Sequence, residues 1–354
     1  MADDGTHDLA EHRLRRSDAA VVDLADGQNP YGPPPAVIDA LHALTADDVG
    51  LPPRDAADRL ATAYAEVLGV DSSQLLAGRG PAEFLRLLGR LVPHQSVAVP
   101  LPAWGEVLDV FPSRGFSRFP GEQQPSIEQL DEALDTASLV VISNPSLATG
   151  VILERTALED AARRHPAATL VVDETAVDFL LDPAAVSLVG TDADNIVVLR
   201  STGEFYGTAA ARTGVAWSAD PQLLRSLFGH REALPISGLD VVVAEAALAD
   251  AGWADDVRRH LAADIAWLDA ILPALGGRQL ADARLPYRYV VTDSAVEWAT
   301  RLASAGISVR TLGPGHGVHP GALWISSPRE TERPVVASVL GAPHAVSPAF
   351  SEAG

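Results

Sequence analysis

An α/β protein with a mostly parallel sheet and a smaller second domain is the fold that this 354-residue sequence predicts. Three observations predict it. Short β-rich runs alternate with stretches whose apolar residues recur at helical spacing, as expected of strands joined by crossover helices. A hydrophobic fraction of 47% and a charged fraction of 21% are those of a globular chain. From about Leu239 the pattern changes to a long helical region followed by a few strands, which suits a small α+β domain.

The elements follow in order. Pro33-Pro34-Pro35 leads into an apolar-periodic run, 36–44, and proline is tolerated in the first turn of a helix. Residues 54–68 have helical spacing. Leu75-Leu76-Ala77 reads as a short strand, and Gly78-Arg79-Gly80 then turns into a helix over 81–91. Strands are predicted over 96–99, 137–143, 169–173, 195–200 and 214–217, with a helix over 157–165. The helical region runs from 239 through 272. Residues 287–292, 295–305, 308–311 and 322–326 then read strand, helix, strand, strand. These elements divide the chain into an N-terminal segment (1–45) that joins the small domain, a large domain (46–250) and a small domain (251–354).

Net charge is −21 with a pI near 4.7, which argues against nucleic acid and against anionic membrane surfaces as partners. The absence of cysteine removes disulfides, thiolate metal sites and thiol nucleophiles, and suits a cytoplasmic protein. No run approaches the roughly 18 apolar residues of a membrane span, and residues 1–20 have no apolar core of a signal peptide. All 26 residues counted as Lys+Arg are arginine. A lysine amine is the usual partner of a carbonyl in Schiff-base chemistry, so only the α-amino group of Met1 is left for that role.

Several segments carry a family resemblance through their order and spacing. They are Leu24-Ala-Asp-Gly-Gln-Asn-Pro-Tyr-Gly-Pro-Pro-Pro35, Gly78-Arg-Gly-Pro-Ala-Glu83, Pro102-Ala-Trp104, Ser143-Asn-Pro-Ser-Leu-Ala-Thr-Gly150, Val171-Val-Asp-Glu174 and the stretch from Leu199 to Gly214. Together they resemble the fold-type I aminotransferases that use pyridoxal 5′-phosphate, nearest to histidinol-phosphate aminotransferase and threonine-phosphate decarboxylase. The resemblance implies a large domain with a seven-stranded type of sheet, and a homodimer with active sites between subunits. It also implies roles. Asp173 matches the aspartate that pairs with the pyridinium nitrogen, and Asn144 the asparagine that bonds the ring hydroxyl. Trp104 matches the stacking aromatic, and Ser201 and Arg212 match phosphate ligands. A purely structural role as buried hydrogen-bonding groups stays open for Asp173, Asn144 and Ser201.

The departures are as informative as the matches. Where the family has lysine in Ser-x-x-Lys-x-x-Gly, the sequence has Ser201-Thr-Gly-Glu204-Phe-Tyr-Gly207. An ionised glutamate only accepts hydrogen bonds and cannot form an imine. Leu51 stands where a tyrosine of the neighbouring subunit usually touches the phosphate. Pro81 removes an N–H from the start of the helix that cradles it. Ala176 replaces a tyrosine, and Trp324 stands where an arginine grips the substrate carboxylate.

Three readings follow. In the first, the fold is kept for chemistry independent of pyridoxal phosphate on a small amine-containing or amino-acid-derived substrate, in specialised natural-product biosynthesis. Glu204 and Asp173 then share one cleft, where paired carboxylates serve acid–base roles or Glu204 anchors a cationic group. In the second, pyridoxal phosphate or pyridoxamine phosphate is held non-covalently. In the third, the chain is a non-catalytic binding protein or a silent partner subunit, with Glu204 filling the lysine's place against Arg212 or another arginine. Arg79 is a further candidate anion contact, Arg288 a replacement carboxylate clamp, and Tyr206 and Trp324 candidate pocket aromatics. His316 and His319 lie in a glycine-rich loop near the expected substrate mouth, with no third ligand to suggest a metal.

Overall fold

Val, Ile, Leu and Ala fill the short runs that pair into one central sheet, and every residue of four of them is buried. Continuous burial on both faces is what a sheet covered by helices demands. The computed structural model describes residues 22–91, 97–101, 103, 107, 110–111, 116–119, 126–279, 284–312 and 321–341. Met1, Trp104, His316 and His319 lie outside the described residues.

In chain order the elements are β1 (Val22–Asp23), α1 (Pro35–His42), α2 (Ala46–Gly50), α3 (Ala56–Leu68), β2 (Leu75–Gly78), α4 (Pro81–Leu91), β3 (Val97–Pro100) and β4 (Phe116–Phe119). Next come α5 (Ile127–Thr136), β5 (Leu139–Ser143), α6 (Arg155–Arg164), β6 (Thr169–Asp173), β7 (Ile196–Ser201), β8 (Gly214–Trp217), α7 (Pro221–Gly229) and α8 (Gly238–Leu248). The chain continues through α9 (Ala251–Ile271), β9 (Arg278–Gln279), β10 (Tyr287–Val291), α10 (Ala295–Ser304), β11 (Ile307–Ser308), β12 (Arg310–Leu312), β13 (Ala322–Ser326) and α11 (Arg333–Leu340).

The large sheet has seven strands in the order β2-β8-β7-β6-β5-β3-β4. Neighbours from β7 to β4 are parallel, and β8 runs antiparallel to both β2 and β7. A second sheet has the order β12-β13-β10-β9 and is antiparallel. β1 pairs in parallel with β11, so the N-terminal residues are built onto the C-terminal part of the chain. Leu24 is buried in the same core as Leu268, Ile325 and Val336.

Three differences from the sequence expectation have local causes. The expected strand over 308–311 is two strands, because β11 pairs with β1 whereas β12 pairs with β13. The helical region beginning near 239 is broken before Ala251, where Asp250 accepts a hydrogen bond from the Trp253 N–H at 3.0 Å and starts a new helix. β4, a short edge strand of sequence Phe-Ser-Arg-Phe, has too little periodicity to be foreseen. Helix α9 serves both halves of the molecule. Ala254, Val257 and Leu261 pack into the core of the large sheet, whereas Trp267, Leu268 and Ile271 belong to the core of the smaller one. No helix among the described residues is long and apolar enough to cross a membrane.

An ion network lies under the carboxyl ends of β6 and β7. The Arg200 guanidinium, 3% exposed, donates to Glu174 at 3.2 Å and to Asp178 at 2.7 Å. Glu174 also accepts from the Ser187 hydroxyl at 2.5 Å and the Leu188 N–H at 2.6 Å. Burial pushes the Glu174 carboxyl up, and the adjacent Arg200 and these donors oppose it. Arg200→Met leaves two buried carboxylates without their cation, and it is expected to lower the unfolding free energy by about 3–5 kcal/mol. Arg164→Ala, which removes a half-exposed partner of Asp131, should cost at most about 1 kcal/mol. Urea denaturation of both variants checks the contrast.

Candidate functional site

Parallel strands collect their functional residues at their carboxyl ends, where an open α/β sheet binds its ligands. Pro100, Ser143, Asp173 and Ser201, the last residues of β3, β5, β6 and β7, all line one cavity of about 970 Å³. Ser308, Arg310 and Trp324, from β11, β12 and β13, form the opposite wall, and Asp23, Asp26, Gly27 and Gln28 form a third side. The cleft between the two sheets is therefore closed in part by the N-terminal segment.

That segment is stitched down along its length. The Leu24 N–H donates to the Ser308 carbonyl and the Ser326 N–H donates to the Leu24 carbonyl, each at 2.9 Å. The Asn29 N–H donates to the carbonyl of Glu204 at 2.9 Å, and its side-chain amide donates to the Phe205 carbonyl at 2.9 Å. Gly207 makes this approach possible. Its φ is +62°, and a Cβ there would lie 2.7 Å from the carbonyl carbon of Gly32. Further along, the Tyr31 hydroxyl donates to Asp264 at 2.7 Å, and Arg333 pairs with the same carboxylate.

Asp173 is oriented by the turn that follows it. One carboxylate oxygen accepts the Thr175 N–H at 3.0 Å and the Thr175 hydroxyl as well. Glu204, on the turn after β7, is half-buried and faces the same cavity. The Ser201 hydroxyl accepts the Gly203 N–H at 3.0 Å. Arg79 and Arg212 are exposed at the rim, and their charges both act on Asp240 of α8. Burial pushes the Asp240 carboxyl up, and the Arg212 N–H and the two guanidiniums oppose it. The Arg79 N–H donates to Glu83 at 2.6 Å across the start of α4, where Pro81 has no N–H to give.

On the far wall the Tyr287 ring lies 4.8 Å from that of Trp324, and the Tyr287 hydroxyl donates to the Ser146 carbonyl at 3.2 Å. Burial pushes the Tyr287 phenol well above its ordinary range, and the negative charges of Asp173 and Glu204 push it further. Gly27 packs against the same wall, since a Cβ there would meet the Trp324 ring at 3.0 Å.

Asp173, Glu204, Ser201, Arg212, Arg79 and Trp324, six of the residues singled out from sequence, thus share one cavity. Three others do not line it. The Asn144 amide is turned to the backbone of Leu153, accepting its N–H at 2.8 Å and donating to its carbonyl at 3.1 Å. Tyr206 is a core residue stacked on Trp253 at 6.0 Å. Arg288 is buried and bidentate to Asp269 at 2.7 and 2.9 Å, so it provides no clamp in the cavity. Trp104 and His316 lie outside the described residues. Sequence reasoning missed Tyr287, Arg310, Asp23 and Asp26. Strand alternation held the signal for the first, because neighbours in β10 face opposite sides and only one of Tyr287 and Arg288 can reach the cleft.

A family model for aminotransferase class I and II matches residues 19–308. The chain belongs to the aminotransferase class I and II family. This aminotransferase-family chain is 32% identical over 208 residues to histidinol-phosphate aminotransferase of Leuconostoc mesenteroides, covering 56% of the chain and 58% of that protein. It is 30% identical over 240 residues to histidinol-phosphate aminotransferase of Moorella thermoacetica, covering 65% and 62%. The match therefore spans less than two thirds of the length of either relative. The structure of histidinol-phosphate aminotransferase from Sinorhizobium meliloti, in complex with pyridoxal-5′-phosphate, superposes with a TM-score of 0.81 at 21% identity, covering 94% of this chain and 93% of that one. The family fold is the fold-type I architecture expected from the sequence.

Asn29→Ala removes the amide that ties the N-terminal segment to the Glu204 turn. It is expected to cost about 1–3 kcal/mol and to raise amide exchange over residues 24–32, as read by hydrogen–deuterium exchange mass spectrometry.

Proposed function

We propose that this aminotransferase-family protein is an enzyme that works without an imine-forming lysine, on a small amine-containing or amino-acid-derived substrate. The observation that carries the reading is Glu204, which lines the cavity with Asp173 in a chain that has no lysine. On the family resemblance, Glu204 occupies the lysine position.

The residues present do not fit a covalently held pyridoxal phosphate. An imine needs an amine, and a carboxylate supplies none. Both polar atoms of the Asn144 side chain are engaged by Leu153, and Pro81 withholds an N–H from the start of α4. The chemistry assigned to the site is accordingly that of its own groups. Glu204 holds the substrate amine or exchanges a proton with it, and Asp173, fixed by Thr175, serves as the second carboxylate. Specialised, natural-product biosynthesis is the setting we assign to such a repurposed fold.

One observation favours a second reading. Asp173, Ser201 and Arg212 line the cavity together, a set that suits pyridoxal phosphate or pyridoxamine phosphate held without a covalent bond. Calorimetric and absorbance titrations of the purified protein with both cofactors separate the two. The first reading expects no binding at millimolar cofactor and no imine absorbance. Micromolar binding with the spectrum of the free aldehyde overturns it in favour of the second.

The assembly is read as a homodimer. Ile38 and Leu41 of α1, Val49 of α2, Leu51 beside it and Leu239 of α8 are exposed apolar side chains, and α8 packs on both α1 and α2. An apolar surface of this kind suits a self-complementary interface. Leu51→Asp should shift the protein toward monomer in sedimentation velocity. An unchanged dimer places the interface elsewhere, and a monomeric parent protein refutes the assignment.

A further inference from the structure

We propose that Asp240 is a built-in counter-ion for Arg79 and Arg212, and that it sets the rim of the cavity against phosphate-bearing ligands. This rests on the reading above, in which the site does without pyridoxal phosphate. It adds a residue, separate from Glu204, that selects against the phosphate itself.

The two arginines share one end of one strand pair. β2 and β8 are antiparallel with Gly78 opposite Gly214, so Arg79, just after β2, and Arg212, just before β8, leave the sheet side by side. Their turns touch, since a Cβ on Gly214 would lie 2.7 Å from the Gly80 Cα. Both residues are exposed and both line the cavity. Neighbouring guanidiniums bind phosphate and carboxylate groups through charge-assisted hydrogen bonds, so the rim has the elements of an anion site.

Internal carboxylates answer those elements. The Arg79 N–H donates to Glu83 at 2.6 Å, and the Asp240 carboxylate accepts the Arg212 N–H. Each arginine thus has its own N–H taken by a carboxylate, and Pro81, next in the turn, has none to give. Both guanidinium charges bear on Asp240 as well. Asp240 is half-buried and is the third residue of α8, whose start is fixed where the Ser237 hydroxyl accepts the Asp240 N–H at 3.1 Å. Packing of α8 on α3, and of α3 on β2, holds it at this end of the sheet. A carboxylate anchored in this way stays with the arginines, and a phosphate drawn to them meets its negative charge.

The test is calorimetry on the full-length protein with inorganic phosphate at constant ionic strength. The parent is expected to bind it no tighter than about millimolar. Asp240→Asn, nearly isosteric and uncharged, should bind it tighter by about tenfold or more. The gain should vanish when Arg79→Gln and Arg212→Gln are added. Asp240→Ser removes the same charge with a shorter side chain and should show the same gain. Micromolar phosphate binding by the parent overturns the proposal without any variant. So does an Asp240→Asn or Asp240→Ser protein that keeps the parent melting temperature and gains nothing, and so does a gain that survives loss of both arginines. Inorganic phosphate has neither ring nor aldehyde, so its binding reports the rim alone and the two readings fail separately. A missing gain beside a negative cofactor titration removes the role of Asp240 and leaves lysine-independent chemistry standing, whereas a positive cofactor titration overturns that chemistry whatever Asp240 does.

Discussion

The large-sheet side of the cleft depends on the guanidinium of Arg200. It sits in the interior between Glu174 and Asp178, at the level where β6 and β7 end. Glu174 follows Asp173 directly, and Arg200 precedes Ser201. A buried cation with two carboxylates has few alternative arrangements, because any that separates them leaves charge in a low-dielectric interior. The network thereby fixes the two strand ends from below, and the cavity inherits its geometry. Arg258 of α9 extends the hold by donating to the Asp178 carbonyl at 2.9 Å.

The upper side is governed by a weaker kind of order. The N-terminal segment is tied by single hydrogen bonds to the small-domain strands and to the Glu204 turn, and by Tyr31 to Asp264. The site thus has a floor held by buried ion pairs and a cover held mostly by backbone hydrogen bonds, with one tie to the Asp264–Arg333 pair. That contrast suits a cavity whose base must be exact and whose entrance must admit a ligand. The floor is a scaffold of buried charge, with Arg200 between Glu174 and Asp178.

Much of the architecture was legible because it is written in local pattern. Buried strands are short apolar runs, and those at 75–78, 169–173, 214–217 and 322–326 lie within a residue of where they were expected. Four of the six cavity residues foreseen from motifs, Arg79, Asp173, Ser201 and Glu204, are carried by strand ends and the turns after them, where spacing along the chain sets position. Legibility failed where position depends on contacts between distant segments. Arg288 attracted notice for its charge, yet Asp269, nineteen residues earlier, claims it, and nothing in the local sequence announces that pair. Asn144 likewise turns to the backbone of Leu153 across a loop. Tyr287 and Arg310 were passed over because a buried aromatic and a strand arginine look ordinary until the fold brings both to Trp324.

Helix α9 carries a mechanical consequence. One half is embedded in the large core and the other in the small, so the two halves of the molecule share a rod instead of meeting at a flexible joint. The helix passes from one core to the other between Leu261 and Trp267. Asp264, which holds Tyr31 and Arg333, lies in that interval. The anchor of the N-terminal segment is thereby carried on the stretch of helix that spans the two cores.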